Sequence, residues 1–114
     1  HPPMLSDMLL RDRNLRKDQV LRVLQRLQRM GKVHAVGAEY FIQTPHLLAL
    51  ATQAHALAEA DAHKRLNLKE LREASGISRH LSVPLVEYFD QIGLTKRDAV
   101  GRHFRSAPRK LFPG

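Results

Sequence analysis

Gln28–Gln43 reads QRMGKVHAVGAEYFIQ and Asp90–Ser106 reads DQIGLTKRDAVGRHFRS. Each runs from a helical pattern through a glycine, Gly31 or Gly93, to an Ala-Val-Gly at Ala35 to Gly37 or Ala99 to Gly101, and on to Phe41 or Phe104. The matched positions stand 62, 64 and 63 residues apart, so the chain reads as a divergent tandem repeat whose hairpins differ slightly in length. Two small units therefore follow.

Outward from the first glycine, Val20, Val23, Leu24, Leu27 and Met30 recur at three and four, which predicts an amphipathic helix beginning near Lys17 and closed by Gly31. A shorter helix over Asp7 to Arg13, capped by Ser6, is expected before it. After it, Val33 to Val36 and Tyr40 to Gln43 read as a hairpin turned at Gly37, Ala38 and Glu39. In the second unit NLKELREASG gives a short helix, and Leu81, Leu85, Phe89 and Ile92, with Tyr88 beside them, give the buried stripe of a longer one. Leu94 to Arg97 and Arg102 to Arg105 form its hairpin. Pro84 is easy only in a first helical turn, so the long helix is expected to begin near His80 to Val83, or to kink.

Between the units lies TPHLLALATQAHALAEADAH, with Thr44 as N-cap, Pro45 at the first helical position and an Ala/Leu run of roughly eighteen residues, about 27 Å at the helical rise. It reads as the first helix of the second unit, whose order becomes helix, short strand (Leu66 to Leu68), helix, helix, hairpin. That is winged-helix topology. The expected fold is mainly α with small β-hairpins, an α+β chain of two tandem winged-helix modules joined by a long helix. The first occupies residues 1–43 and lacks its own first helix; the second occupies 44–114 and includes the connecting helix. Position 1 is His, which suggests a fragment of something larger.

Nineteen Lys and Arg against eleven Asp and Glu give a net charge of +8. The excess is uneven, +2 over residues 1–63 and +6 over 64–114, and such a balance attracts phosphate-rich partners. No cysteine is present, which removes disulfides and thiolate metal sites, and no apolar run is long enough to cross a bilayer. A cytoplasmic, soluble location without a membrane partner is the simplest expectation. Phosphate-loop, G-x-S-x-G and H-E-x-x-H motifs are absent. His46, His55 and His63 stand nine and eight apart along one helix and do not converge on an ion. Neither catalysis, metal nor cofactor is expected. Glu87 and Asp90 read as a surface pair that partners Arg79 or a neighbouring cation.

Two basic regions remain. Arg22, Arg26 and Arg29 share a face of the first long helix, read chiefly as a solvated face with Asp18 paired to Arg22. In the second unit Arg79 and His80 open a helix, where the partial charge of the terminus favours Asp or Glu. Ser78, Arg79 and His80 at that start, with Lys96, Arg97, Arg102, His103 and Arg105 on the hairpin, are the candidate binding set, since a winged helix brings the two regions side by side. A phosphate backbone would meet helix N–H groups, a hydroxyl and several cations together.

The run LREASGISRHLSVPLVEYFDQIGLTKR followed by GRHFR resembles the last winged-helix module of the bacterial selenocysteine-specific elongation factor family, through Ser78-Arg79-His80, Leu85 to Asp90 and Gly93 to Arg97. The likeness covers about fifty C-terminal residues, and His80 stands where the family commonly has Lys. It implies a non-enzymatic RNA anchor that binds, as a monomer, the mRNA stem-loop (SECIS) recoding UGA as selenocysteine, with the ribosome as a further candidate partner. The parent it implies is a translational GTPase of the cytoplasm. A winged-helix DNA-binding regulator and a basic scaffold for proteins or the ribosome are the alternatives.

Overall fold

The computed structural model describes residues 17–112, which fall into two compact units divided between Leu47 and Leu48. The short helix expected over Asp7 to Arg13 lies outside the described residues. In the first unit, α1 (Lys17–Arg29) leads into the antiparallel pair β1 (Val33–Val36) and β2 (Tyr40–Gln43), with Val36 opposite Tyr40 and Val33 opposite Gln43. The α1 stripe is narrower than the apolar spacing suggests. Val20 and Leu24 are buried one turn apart, while Val23 and Met30 lie on the side of Arg22, Arg26 and Arg29 and are 48% and 59% exposed. The core of this unit is Val20, Leu24, Val33, Val36, Tyr40, Ile42 and Leu47.

Helix α2 (Thr44–Ala60) follows without a loop. Thr44, expected as its cap, is its first residue and turns its hydroxyl to the carbonyl of Gly31. In the second unit α2 buries Leu50, Ala51, Ala54 and Ala58, and Gln53 Nε2 donates to the carbonyl of Ala74 at 2.9 Å. Leu66 then makes a single antiparallel bridge to Arg102. The strand expected over Leu66 to Leu68 goes no further because Asn67 caps the next helix, accepting from the Glu70 amide at 3.1 Å. That helix is α3 (Leu68–Ser75), followed by α4 (Arg79–Gln91), β3 (Thr95–Arg97), β4 (Arg102–Phe104) and a single turn, α5 (Pro108–Leu111).

Helix α4 begins at Arg79, earlier than Pro84 alone suggests. Ser78 caps it by accepting the Leu81 amide at 3.1 Å, and the Ser82 hydroxyl donates to the carbonyl of Arg79 at 3.0 Å. The intrahelical bond that Pro84 forgoes is to the carbonyl of His80, an exposed first-turn residue, so the proline is accommodated inside the helix. Its inner face, Leu81, Leu85, Val86 and Phe89, packs in a core with Leu71, Ile77, Leu94 and Phe112. Ile92 and Tyr88 are half-buried.

One device recurs in both units. Gly31 (φ 74°) donates to Gln28 while Lys32 donates to Leu27, and Gly93 (φ 79°) donates to Asp90 while Leu94 donates to Phe89. This is the Schellman stop, which needs a left-handed residue and so favours glycine. The carbonyl of the next residue then receives the amide that follows the hairpin, Thr44 to Lys32 at 3.0 Å and Arg105 to Leu94 at 2.8 Å. The repeat in sequence is thus a repeated way of turning a helix into a hairpin. Its second copy is shorter than expected, since Leu94 serves the stop and β4 ends at Phe104.

The second unit is a helical unit with a small antiparallel hairpin, an α+β arrangement of winged-helix type. Among the described residues no helix is long and apolar enough to cross a membrane, and no group of His, Asp or Glu is placed to hold a metal ion. Phe89 is wholly buried whereas Met30 is open to solvent. Phe89→Ala is expected to lower stability by about 3–5 kcal/mol. Met30→Ala is expected to change it by less than about 0.5 kcal/mol. Urea unfolding followed by circular dichroism measures both.

Candidate nucleic-acid interface

Helix α4 starts with no acidic residue in its first turn. Its N-terminal amides keep their positive potential, and Ser78 satisfies one of them while Arg79 and His80 stand exposed beside it. The Arg79 cation at this end costs stability, of the order of 0.3–1 kcal/mol, unless an anion covers it.

The hairpin is held from three sides. At its tip Asp98 Oδ1 accepts the amides of Val100 at 2.8 Å and Gly101 at 3.1 Å, and the Asp98 amide donates to the carbonyl of Gly101 at 2.9 Å. The bond from Val100 holds the Asp98 carboxyl below its usual range; burial opposes it, and the bond from Gly101 with the charges of His103 and Lys96 adds to the lowering. From the loop before α3, Arg65 Nη1 donates to the carbonyl of Val100 at 3.2 Å, and its side chain lies so close to Gly101 that a Cβ there would meet Arg65 Cδ at 3.0 Å.

The third anchor is Asp90, in the last turn of α4. Arg102 Nε donates to its Oδ1 at 3.0 Å, Arg102 Nη2 to its Oδ2 at 2.9 Å, and the Thr95 hydroxyl to Oδ1. Arg102 is only 8% exposed and Thr95 2%. This corrects the expectation that Arg102 belongs to the binding set: its guanidinium is turned inward and spent on a carboxylate. Asp90 does partner a neighbouring cation, as one expected alternative had it, but that cation is the buried Arg102 and not Arg79. Burial alone would raise the Asp90 carboxyl, but the hydrogen bonds from Arg102 and Thr95, with the charges of Arg102 and Arg97, hold it below its usual value.

Register sorts the remaining cations. Lys96 pairs with His103 and Arg97 with Arg102, and residues directly opposite share a face of a hairpin while neighbours along a strand alternate. Arg97 therefore shares the face of Arg102 and Thr95, toward α4, and Lys96 and His103 occupy the other. Arg97 borders a groove of about 380 Å³ whose apolar lining is Leu66, Leu68, Val83 and Val86, with Glu87 and Arg102 also on its wall. Val83 lies one turn from Arg79, so the start of α4 and Arg97 are brought to one face. Lys96 is exposed, His103 is half-buried with Nδ1 3.6 Å from Asp98 Oδ2, and Arg105 is exposed just past β4. The eight expected residues thus divide: Arg97 and Arg102 line the groove, Arg102 with its charge spent on Asp90, Ser78, Arg79 and His80 form the exposed start of α4, Lys96 and His103 lie on the opposite face of the hairpin, and Arg105 follows it.

Sequence reasoning missed Asp90, Thr95 and Arg65 as organisers. A signal for Asp90 was present, because a carboxylate in the last turn of a helix opposes the dipole and implies a cation close by.

Residues 58–104 match the family described as elongation factor SelB, winged helix. The second unit thus resembles a SelB winged helix over that stretch. Over 93% of its length the chain superimposes on the mRNA-binding domain of SelB from E. coli, solved in complex with SECIS RNA, with a TM-score of 0.81, 19% identity and 85% of that chain covered. It also superimposes on a bacterial selenocysteine-specific elongation factor, EF-Sec, with a TM-score of 0.72 and 20% identity, spanning 16% of that longer chain. No curated protein matches the sequence. The SelB match takes in α3, α4 and the hairpin, the elements that border the groove.

The Asp90 pair makes stability depend on pH in a definite direction. A carboxyl whose folded pKa is depressed stabilises fully above its unfolded value, about 3.9, and the benefit is lost as pH falls through the folded value. Asp90→Asn should lower stability at pH 7 by about 1.5–3 kcal/mol, the worth of hydrogen bonds to a charged group. It should also flatten the decline toward acid, as read by urea titrations at stepped pH from 7 downward.

Proposed function

We propose that this chain is the RNA-binding anchor of a selenocysteine-specific translation elongation factor, which grips the SECIS hairpin of a selenoprotein mRNA and so directs recoding of UGA. The observation that carries the reading is the SelB winged-helix match over residues 58–104, supported by the likeness to a domain solved with SECIS RNA. The chain is read as two tandem winged-helix modules, 1–43 and 44–114, joined through α2. The recurrence of the glycine stop and hairpin in both units supports this division. The piece itself is non-catalytic and works as a monomer in the cytoplasm. Its parent would be the translational GTPase that brings selenocysteinyl-tRNA to the ribosome.

The grip proceeds by phosphate contacts. Ser78, Arg79 and His80 meet one stretch of backbone with the α4 amides, and Arg97 meets another across the groove. Lys96, His103 and Arg105 extend the field around the hairpin. A-form RNA has a deep, narrow major groove that excludes a helix, so recognition by backbone shape and unpaired bases suits a shallow two-point hold. Arg102 makes no phosphate contact in this scheme. Its charge is already neutralised.

Arg79→Ala and Arg97→Ala should each weaken hairpin binding by about 1–3 kcal/mol. Arg22→Ala, whose guanidinium is 2.9 Å from Asp18 on the first unit, should do little. A competition gel with E. coli SECIS hairpin, a scrambled RNA and duplex DNA at matched salt tests the reading. Preference for the hairpin supports it; preference for the duplex indicates a DNA regulator, and indifference among the three a basic scaffold. Affinity should fall steeply and linearly in log–log terms with added salt.

A further inference from the structure

One carboxylate holds side chains from both strands of the hairpin. Asp90 Oδ1 takes the Thr95 hydroxyl of β3 and Arg102 Nε of β4 at 3.0 Å, and Oδ2 takes Arg102 Nη2 at 2.9 Å. Thr95 and Arg102 are almost wholly buried, and the Asp90 side chain is 27% exposed with its acceptor sites engaged. These groups are poorly placed to touch a ligand themselves. They are well placed to decide where Arg97 is. Arg97 lies two residues beyond Thr95 and directly opposite Arg102 in the register, on the face that borders the groove.

The leverage is simple geometry. Two residues of strand span about 7 Å, so a swivel of about 15° at the Thr95 anchor moves the Arg97 backbone by about 2 Å, more at the guanidinium. A charge-assisted contact to phosphate is made within a few tenths of an ångström of its optimum, and a displacement of that size abolishes it. The Asp98 turn and Arg65 fix the shape of the tip, but Arg65 reaches it from the loop before α3. Among the bonds described here, those of Asp90 tie side chains of the hairpin to α4, the helix whose start carries Arg79 and His80.

We propose that Asp90 is a positioning residue of the RNA grip: through Arg102 and Thr95 it fixes the hairpin against α4 and so sets the spacing between Arg97 and the Arg79–His80 helix start. The assignment rests on the RNA-binding reading above. It makes a prediction that a purely stabilising role does not. Loss of Asp90 removes the contribution of Arg97 and leaves that of Arg79 intact.

The test is a set of double-mutant cycles on the full chain, with E. coli SECIS hairpin and scrambled RNA as probes, at a temperature where circular dichroism shows every variant folded. Asp90→Asn should weaken hairpin binding about tenfold. Arg97→Ala should have its full effect in the unmodified chain and under a twofold effect on top of Asp90→Asn, while Arg79→Ala should weaken binding by the same factor in both. Thr95→Val keeps the ion pair and removes one strand's anchor; it should give a smaller loss, twofold to fourfold, again coupled to Arg97 and not to Arg79. Should Asp90→Asn fail to fold, the Thr95→Val cycle decides alone. Equal Arg97 effects in both backgrounds, or unmodified binding in the folded variants, would overturn the proposal. Failure of the unmodified chain to distinguish the hairpin from scrambled RNA would instead overturn the functional reading on which it rests.

Discussion

A guanidinium that is 8% exposed has to find a carboxylate, because an unpaired buried cation is far more costly than any contact it forgoes. In the second unit that requirement is met by one residue, Asp90, and the solution constrains its surroundings. Arg102 must enter β4 at the point where its side chain reaches the last turn of α4, and its backbone must accept the Leu66 amide at 2.9 Å. Thr95 must sit on the same face of the hairpin to complete the acceptor set. The hairpin therefore has a defined place against α4 even though its two strands are only three residues each and would be marginal alone.

The same pairing sharpens the electrostatics. A hairpin carrying Lys96, Arg97, Arg102 and Arg105 on successive turns of chain would present a diffuse positive field. Both Arg97 and Arg102 line the groove with Val83 and Glu87, but Asp90 neutralises Arg102 and leaves Arg97 as the exposed cation there. At the start of α4, a first turn without a carboxylate and with Arg79 in it is arranged in the opposite sense from what the helix dipole favours. Sites that break local rules in this way are where function is found, since the loss is tolerated only if something else gains. Pro84 belongs to the same picture. It forgoes the bond to the carbonyl of His80 in the first turn of α4, next to the Arg79 carbonyl that accepts the Ser82 hydroxyl.

Much of the fold was legible because its signals are local. Gly31 and Gly93 announce left-handed helix stops, the spacing of Leu81, Leu85 and Phe89 announces a buried face, and the strands read at Val33–Val36 and Tyr40–Gln43 around the Gly37–Glu39 turn are the ones the hairpin uses. The errors fall where a tertiary partner overrides a local preference. Leu66 to Leu68 looks like a strand, but Asn67 is a better cap than a strand residue. Val23 and Met30 fit an apolar spacing yet lie outside the arc that Val20 and Leu24 define. Arg102 was the main misreading: charge and position in a basic hairpin suggest a ligand contact, and only the inward face set by the register, with Asp90 waiting on it, shows the charge to be structural.

The two units illustrate how little of function resides in the scaffold. Both close a helix with the same pair of amide bonds and then fold back a short hairpin, yet their exposed surfaces differ in what their charges already have. On α1, Arg22 is paired with Asp18 one turn away, a solvated arrangement that weakens its appeal to an external anion. On α4, the equivalent turn holds Arg79 and His80 with no acidic neighbour in the first turn, and Asp90, in the last turn, is engaged inside by Arg102. The net positive charge of the C-terminal half is thus divided by folding into a part that builds the hairpin's seat and a part left exposed at the groove and at the start of α4. It is the second part, and its spacing, that a phosphate backbone would measure.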